Sequence, residues 1–348
     1  MTDKIRVMVT GVGGGGNGEQ LLKALKLAET PYHLIGADIT PLSKGLYMAD
    51  ERVILPPAVD PDYISVLMDT CKKNHIQVLF TGSEPELKRI SEFQDEIRAE
   101  GIFLPMNPKS VIDLCLDKSK TMSFLKENGF CFPQTWTVRN PEDLQSVDIF
   151  PLVLKPSVGG GGSANSFIAQ DKKELELFGY WMLNIYSEFI VQQYIGDADS
   201  EYTVGVLCDM EGNLINSIAV KRNILSALSN RLKIRSRYTG EMLVLSNGIT
   251  QGEIGRFPEV TSQCEEIALK LGTRSAINIQ LRFVDGKAYV FEINPRYSGT
   301  SSFRAMVGYN EPDLMIRKYL LNEEIEPHFA YKEGTILRGL DEIFLEKR

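Results

Sequence analysis

Histidine and cysteine are scarce in this chain, three and five residues in 348. The histidines stand far apart, so no imidazole cluster for a transition metal can be read from them. The cysteines (Cys71, Cys115, Cys131, Cys208 and Cys264) are scattered, odd in number and form no Cys-x-x-Cys pair. That excludes a disulfide framework and a thiolate zinc site, and fits reduced thiols in a cytoplasmic protein. No apolar run approaches the roughly 18 residues that cross a bilayer. The opening MTDKIR is followed by only a short apolar run, without the longer apolar core and cleavage site of a secretion signal. Basic residues are outnumbered, 38 Lys and Arg against 46 Asp and Glu, which argues against a nucleic-acid backbone as partner. A cytoplasmic enzyme of small molecules, acting on neither nucleic acid nor membrane, is the expectation left.

What the sequence does have is glycine, in two runs: VMVTGVGGGGNG at 7–18 and VLKPSVGGGGSANS at 153–166. Around the first, short apolar runs alternate with helical periods, the pattern of parallel βαβ units. Strands are expected at Ile5–Thr10, His33–Asp38, Val53–Leu55, Val78–Thr81 and Phe103–Pro105. Helices are expected at Gly18–Ala28, Asp62–Asn74, Glu86–Arg98 and Ser110–Cys115. After a further helix ending near Gly129, the character changes at Pro151. A strand, the second glycine run and another strand precede a helix at Lys172–Ile185. Beyond Phe189–Tyr194 come a hairpin (Tyr202–Asp209 with Leu214–Arg222), a helix at Val260–Leu271, and strands Ala276–Phe283 and Ala288–Asn294. Pro312–Leu321 reads as helix.

Gly11-x-Gly13-x-x-Gly16 follows a strand and opens a helix, the context of a dinucleotide-binding turn, with Asp38 placed for a ribose. The alternative is a tight strand-to-helix turn and nothing more, and the chain shows no obvious acid or base for hydride transfer. The second run, between two strands, can turn several backbone N–H groups toward one anion, and Lys155 sits just before it. The alternative there is a bare hairpin tip.

The segment INIQLRFVDGKAYVFEINPRYSG, 277–299, bears on the choice. Glu292 and Asn294 are two apart and share one strand face, and Gln280 lies across the turn. A carboxylate with amide oxygens, completed by phosphates, suits Mg²⁺ (Mn²⁺ as the variant) rather than a soft metal. A two-residue Asp285-Gly286 turn would put Gln280 on the opposite face from Glu292. A three-residue loop, Val284-Asp285-Gly286, or a bulge of equal effect, is therefore expected.

These residues resemble the ATP-grasp superfamily, and within it a single module of the carbamoyl-phosphate synthase large chain. TGVGGGGNGEQLLKAL resembles the opening of the pre-ATP-grasp domain, DKSKTMSFLKENGFCFPQT the entry to the nucleotide half, VLKPSVGGGGS the lid loop, and INIQL with VFEINPRYSG the metal hairpin. The resemblance implies an α/β fold. A Rossmann-like pre-ATP-grasp domain (1–113) would precede a two-part ATP-grasp domain, a lid region at 114–190 and a central antiparallel sheet at 191–348. Lys118 and Lys155 would reach the phosphates, and Gly159, Gly160, Gly161, Gly162 and Ser163 would close over them. Gln192, Gln193, Tyr194 and Ile195 would form the adenine hinge, with Gln192 where the superfamily commonly has Glu. Glu201 would accept from the ribose. Gln280, Glu292 and Asn294 would hold Mg²⁺, one carboxylate rather than two leaving one or two ions open. Arg296 would stabilise the transferring phosphoryl group.

The implied reaction is activation of a carboxylate by ATP to an acyl phosphate, then attack by an amine or thiol. Candidates for the acceptor substrate are Glu84, Lys221, Arg222, Arg235, Arg237, Glu241, Ser298 and Arg304, with Thr300 and Ser301 nearby. An arginine cluster suits a carboxylate, and an acid suits an amino group; an amino-acid-like or sugar-linked substrate follows. A homodimer is a family-level expectation. Two other readings stay open: an ATP-binding sensor without turnover, and an NAD-dependent oxidoreductase using Gly11–Gly16.

Overall fold

The computed structural model describes residues 4–343 except 160–162 and 227. The first part alternates β1 (Ile5–Val9), α1 (Asn17–Lys26), β2 (Tyr32–Asp38), β3 (Glu51–Ile54), α2 (Tyr63–Lys73), β4 (Val78–Phe80), α3 (Glu84–Ser91) and α4 (Gln94–Ala99). Its strands form a parallel sheet in the order β3-β2-β1-β4. Continuous apolar runs such as Val7-Met8-Val9 are wholly buried because helices cover both faces of such a sheet. Two expectations change here. The single helix at Glu86–Arg98 is two, broken at Phe93, which leaves helical dihedrals while Arg89 stacks on its ring at 4.9 Å. The strand at Phe103–Pro105 reduces to one parallel bridge, Phe103 to Val78.

Helices α5 (Lys109–Cys115) and α6 (Lys118–Glu127) lead into a second layer. There β5 (Thr135–Val138), β6 (Leu152–Pro156), β7 (Phe167–Ala169), α7 (Lys172–Leu183) and β8 (Phe189–Gln193) build an antiparallel sheet, order β5-β8-β6-β7. The third layer begins with β9 (Glu201–Cys208) and β10 (Leu214–Arg222), then a two-stranded ribbon of β11 (Asn230–Arg235) and β12 (Met242–Ser246). It continues through β13 (Gly252–Gly255), α8 (Pro258–Leu271), β14 (Ser275–Val284), β15 (Lys287–Asn294), α9 (Ser301–Met306), α10 (Glu311–Leu320) and β16 (Gly334–Ile336). Its main sheet is antiparallel in the order β15-β14-β9-β10-β13-β16. One apolar core joins α1 and β1 to Phe303, Tyr309, Leu314 and Met315, so α9 and α10 are packed against the first layer.

The expected α/β layout, a parallel sheet followed by antiparallel sheets, is the one observed. The hairpin at 284–287 differs in detail from the three-residue loop. Val284 pairs with Lys287, so the turn is the two-residue Asp285-Gly286, both in the left-handed region at φ 49° and 73°. The parity is restored by a bulge instead. Gln280 pairs with Glu292 while Leu281 pairs with Val290, leaving Phe291 as the extra residue. Gln280, Glu292 and Asn294 thus share one face.

Candidate active site

From that face Gln280 and Glu292 look into a cavity of ≈ 740 Å³, partly open to solvent, between the second and third layers. Lys155, on β6, enters it from one side. Its Nζ donates to the Phe291 carbonyl at 2.9 Å, and Phe291 is the bulged residue without a ladder partner on β14. Burial pushes the Lys155 ammonium down to about 7, against the pull of the Glu292 carboxylate. Lys118 starts α6, which Asp117 caps by accepting from the Lys120 N–H at 3.1 Å. The Lys118 backbone N–H donates to Ser157, and its Nζ donates to the Gly159 carbonyl at 3.2 Å and lies 3.6 Å from Glu292 Oε1. Burial works against ionisation of Glu292, yet Lys118, Lys155 and Arg296 together hold its carboxyl below the usual range.

The far end of the cavity is the segment after β8. Gln192 spends its NH₂ on Thr135 Oγ1 (3.0 Å) and Met122 Sδ (3.3 Å), which leaves its amide oxygen for a donor in the cavity. The N–H groups of Gln193 and Tyr194 are already bonded, to Gln134 and Pro151. Tyr194 closes the wall with its hydroxyl accepting from Val244 N–H at 2.8 Å. Glu201 is buried between two arginines, Arg222 at 2.7 Å and Arg282 at 3.3 Å. Gly159 has a left-handed φ of 74°, and Ser163 Oγ donates to the Ser246 carbonyl at 2.7 Å. Gly160, Gly161 and Gly162 lie outside the described residues.

A second cavity of ≈ 570 Å³ adjoins the first, and Gln280, Glu292, Ser163 and Ser246 line both. Arg296 stands in it, donating to Glu84 Oε1 at 2.9 Å and to Asn294 Oδ1 at 3.1 Å. Glu84 comes from the N-terminus of α3, so this ion pair clasps the first layer to the metal-type hairpin. Ser298, Thr300 and Arg222 also line the cavity.

The structure brings the other acceptor candidates elsewhere. Arg235, Arg237 and Glu241 sit on the outer ribbon: Arg237 pairs with Asp171 and Glu174, Arg235 donates to the Gly240 carbonyl, and Glu241 is exposed. Lys221 points away because it alternates with Arg222 along β10. Arg304 is wholly buried, paired with Glu311 at 2.8 Å and Ser301 packed beside it on the same carboxylate. Asp38, placed for a ribose on the dinucleotide reading, instead accepts from the Gly13 and Ile39 N–H groups at 2.7 and 2.8 Å and is spent on the turn.

Arg282 was not anticipated. It stacks on the Tyr194 ring at 4.0 Å and donates to the Ile195 carbonyl at 2.9 Å inside the first cavity. The signal was available, since Arg282 is two residues from Gln280 and so shares its face.

A lysine pair thus faces a carboxylate–amide hairpin between two antiparallel sheets. The chain belongs to the ATP-grasp family: the ATP-grasp domain matches residues 115–300, and the PylC-like N-terminal domain matches residues 8–104. Members of that family use ATP and Mg²⁺. Carbamoyl phosphate synthase large chain of Vibrio cholerae is 24% identical over 363 residues, covering 96% of this chain. This chain spans from about a fifth to a third of the length of the curated relatives it matches, 32% in that case. Among solved structures, L-amino acid ligase from Bacillus licheniformis is similar with a TM-score of 0.65 at 19% identity, over 94% of this chain and 78% of that one. The biotin carboxylase domain of Hydrogenobacter thermophilus 2-oxoglutarate carboxylase, solved with MgADP, has a TM-score of 0.62 at 17% identity, over 90% and 69% of the two chains. Among the described residues, no helix is long and apolar enough to cross a membrane.

Proposed function

We propose that this chain uses ATP and Mg²⁺ to activate a small amino-acid-like or sugar-linked carboxylate as its acyl phosphate, then joins the acyl group to an amine or thiol. The shared wall of the two cavities carries this reading. Phosphates held by Lys118 and Lys155 in the first would face a carboxylate held by Arg296 in the second, across Gln280 and Glu292. Adenine would lie against Gln192, Gln193, Tyr194 and Ile195, with a ribose hydroxyl donating to Glu201, whose carboxylate keeps lone pairs beyond those its two arginines take.

The oxygen donors Gln280, Glu292 and Asn294 fit a hard divalent cation, since they share a face and need only phosphate or water oxygens to complete a shell. These residues would hold Mg²⁺, which when bound neutralises charge on the phosphates. The substrate's carboxylate oxygen bonds to the γ-phosphorus as the bond from that phosphorus to the bridging oxygen breaks, and the electron pair leaves on ADP. The lone pair of the amine or thiol then bonds to the acyl carbon, phosphate departs with its electron pair, and the nucleophile's proton passes to phosphate or water. Arg296, a planar fork, would stabilise the charge that moves. To do so it must release Glu84, which an ammonium on the substrate would then satisfy.

Purified protein incubated with ATP, Mg²⁺, a carboxylate panel and hydroxylamine as surrogate nucleophile tests this by ADP release. ADP that depends on one class of carboxylate and falls by about a hundredfold or more in Glu292→Gln supports the ligase. Tight ATP binding without carboxylate-dependent ADP would point to a sensor, and no ATP binding would remove the reading altogether.

A further inference from the structure

The second cavity is unusual in what lines it. Among the described residues its walls hold no aliphatic, methionine or aromatic side chain; every lining residue is charged, an amide, a hydroxyl or glycine. A hydrocarbon group entering it would strip water from donors and acceptors and return no partner to them, which such a site rejects strongly.

The floor is more specific. Asn278 on β14 pairs directly with Asn294 on β15, so their side chains stand together beside the hairpin carboxylate. Asn278 Oδ1 accepts from Thr203 Oγ1 at 2.8 Å and from Arg304 Nη2 at 2.7 Å. Flipping that amide would set its NH₂ against a guanidinium and a hydroxyl donor, so the oxygen is held inward and the NH₂ outward, toward the cavity. Arg304 itself is fully buried and is fixed by Glu311 at 2.8 Å. Gly205 makes its room: a Cβ there would fall 2.2 Å from Arg304 Nη1. A buried ion pair of this kind adds little stability over apolar packing, so its consequence here is orientation. The Asn278 NH₂ is thus presented where a substrate would lie, beside Asn294, whose oxygen accepts from Arg296 and keeps a lone pair for a metal.

We propose that this cavity selects carboxylates whose remaining groups are hydrogen-bond acceptors (hydroxyl, carbonyl or further carboxylate oxygens), and that Asn278 reads them, with Arg304 as a positioning residue acting through Asn278. The proposal rests on the ligase reading, and the two fail differently. The probes are isosteric pairs that differ in polarity, L-threonine against L-valine and L-asparagine against L-leucine, each with ATP, Mg²⁺ and hydroxylamine. The oxygen-bearing member is expected to be favoured by more than about a hundredfold in kcat/KM. Asn278→Asp, which keeps the volume but replaces the donor with an acceptor, is expected to raise the KM of the carboxylate by about tenfold and leave the KM of ATP unchanged. Arg304→Lys, able to hold Glu311 but not the planar fork, is expected to do the same; where it does not fold, Asn278→Asp decides. Equal or better turnover of valine and leucine would overturn the selectivity while leaving a ligase. A fall in kcat with both KM values unmoved in Asn278→Asp would overturn the positioning role. ADP release with none of these or any other acid would overturn both readings.

Discussion

Lys155 has a thermodynamic signature that can be measured without knowing the substrate. Burial puts its ammonium at about 7, so in the free protein it is charged below that pH and neutral above it. Triphosphate bound beside it raises its pKa by favouring the charged form. At pH 8 ATP binding should therefore take up close to one proton, at pH 6 almost none, and affinity should weaken as pH rises through 7. Calorimetry in two buffers of different ionisation enthalpy measures the uptake directly. Lys155→Arg, charged throughout, should abolish it; uptake unchanged in that variant would assign the proton elsewhere. The place of Lys155 beside the hairpin carboxylate was legible only jointly, because the glycine run after it reads equally as a bare hairpin tip until Gln280, Glu292 and Asn294 are set beside it. Arg304 was not, since an arginine two turns past the hairpin reads the same whether it faces a cavity or Glu311 in the core. Arg235, Arg237 and Glu241 were misplaced for a related reason: a sequence does not say that β11 and β12 leave the main sheet as a separate ribbon.

At the scale of elements, glycine answers two different physical demands in the turn between β1 and α1. Gly14 and Gly15 have φ of 66° and 69° with open space around them, so only the backbone conformation demands glycine. Gly18, the second residue of α1, has no such φ; a Cβ there would meet the Gly11 carbonyl at 2.4 Å, so close packing of helix on turn demands it. Gly14→Ala should accordingly cost about 1 kcal/mol. Gly18→Ala should cost about 2 kcal/mol or more, because backbone rather than a flexible side chain must move. Denaturant melts of the two variants check the order, and the reverse order would mean that α1 can shift outward freely. Neither cause is visible in the letters GVGGGGNG. The hairpin at Asp285-Gly286 shows the same limit from the other side. Asp-Gly is the strongest short signal for a two-residue turn, and the turn it predicts is present. The need for Gln280 and Glu292 to share a face was equally legible, and the bulge at Phe291 reconciles the two. Its position was not legible, because a bulge is set by the backbone and takes almost any side chain.

Across the whole molecule, the layers are tied at points that border the second cavity, and those ties lie far apart in sequence. Glu84 and Arg296 are one. Arg338, just after β16, is another: its Nη2 donates to Gln20 Oε1 on α1 at 2.8 Å and to the Gly299 carbonyl at 2.9 Å, with Phe303 under the guanidinium at 4.2 Å. Burial pushes this guanidinium down to about 10, so it remains charged at neutral pH. Pairings of this kind, more than 30 residues apart on one side and more than 300 on the other, are beyond periodicity and motif spacing. Gly299 lines the second cavity, whereas neither Gly299 nor Gln20 touches the first. Arg338→Ala should therefore lower unfolding free energy by about 1–2 kcal/mol, the scale of hydrogen bonds from a half-buried charge. Its kinetic effect should be uneven, raising the KM of the carboxylate while the KM of ATP stays put. Equal effects on both would mean that the tie between α1 and the loop after Arg296 supports the clamp as a whole, and that the second cavity has no separate dependence on it.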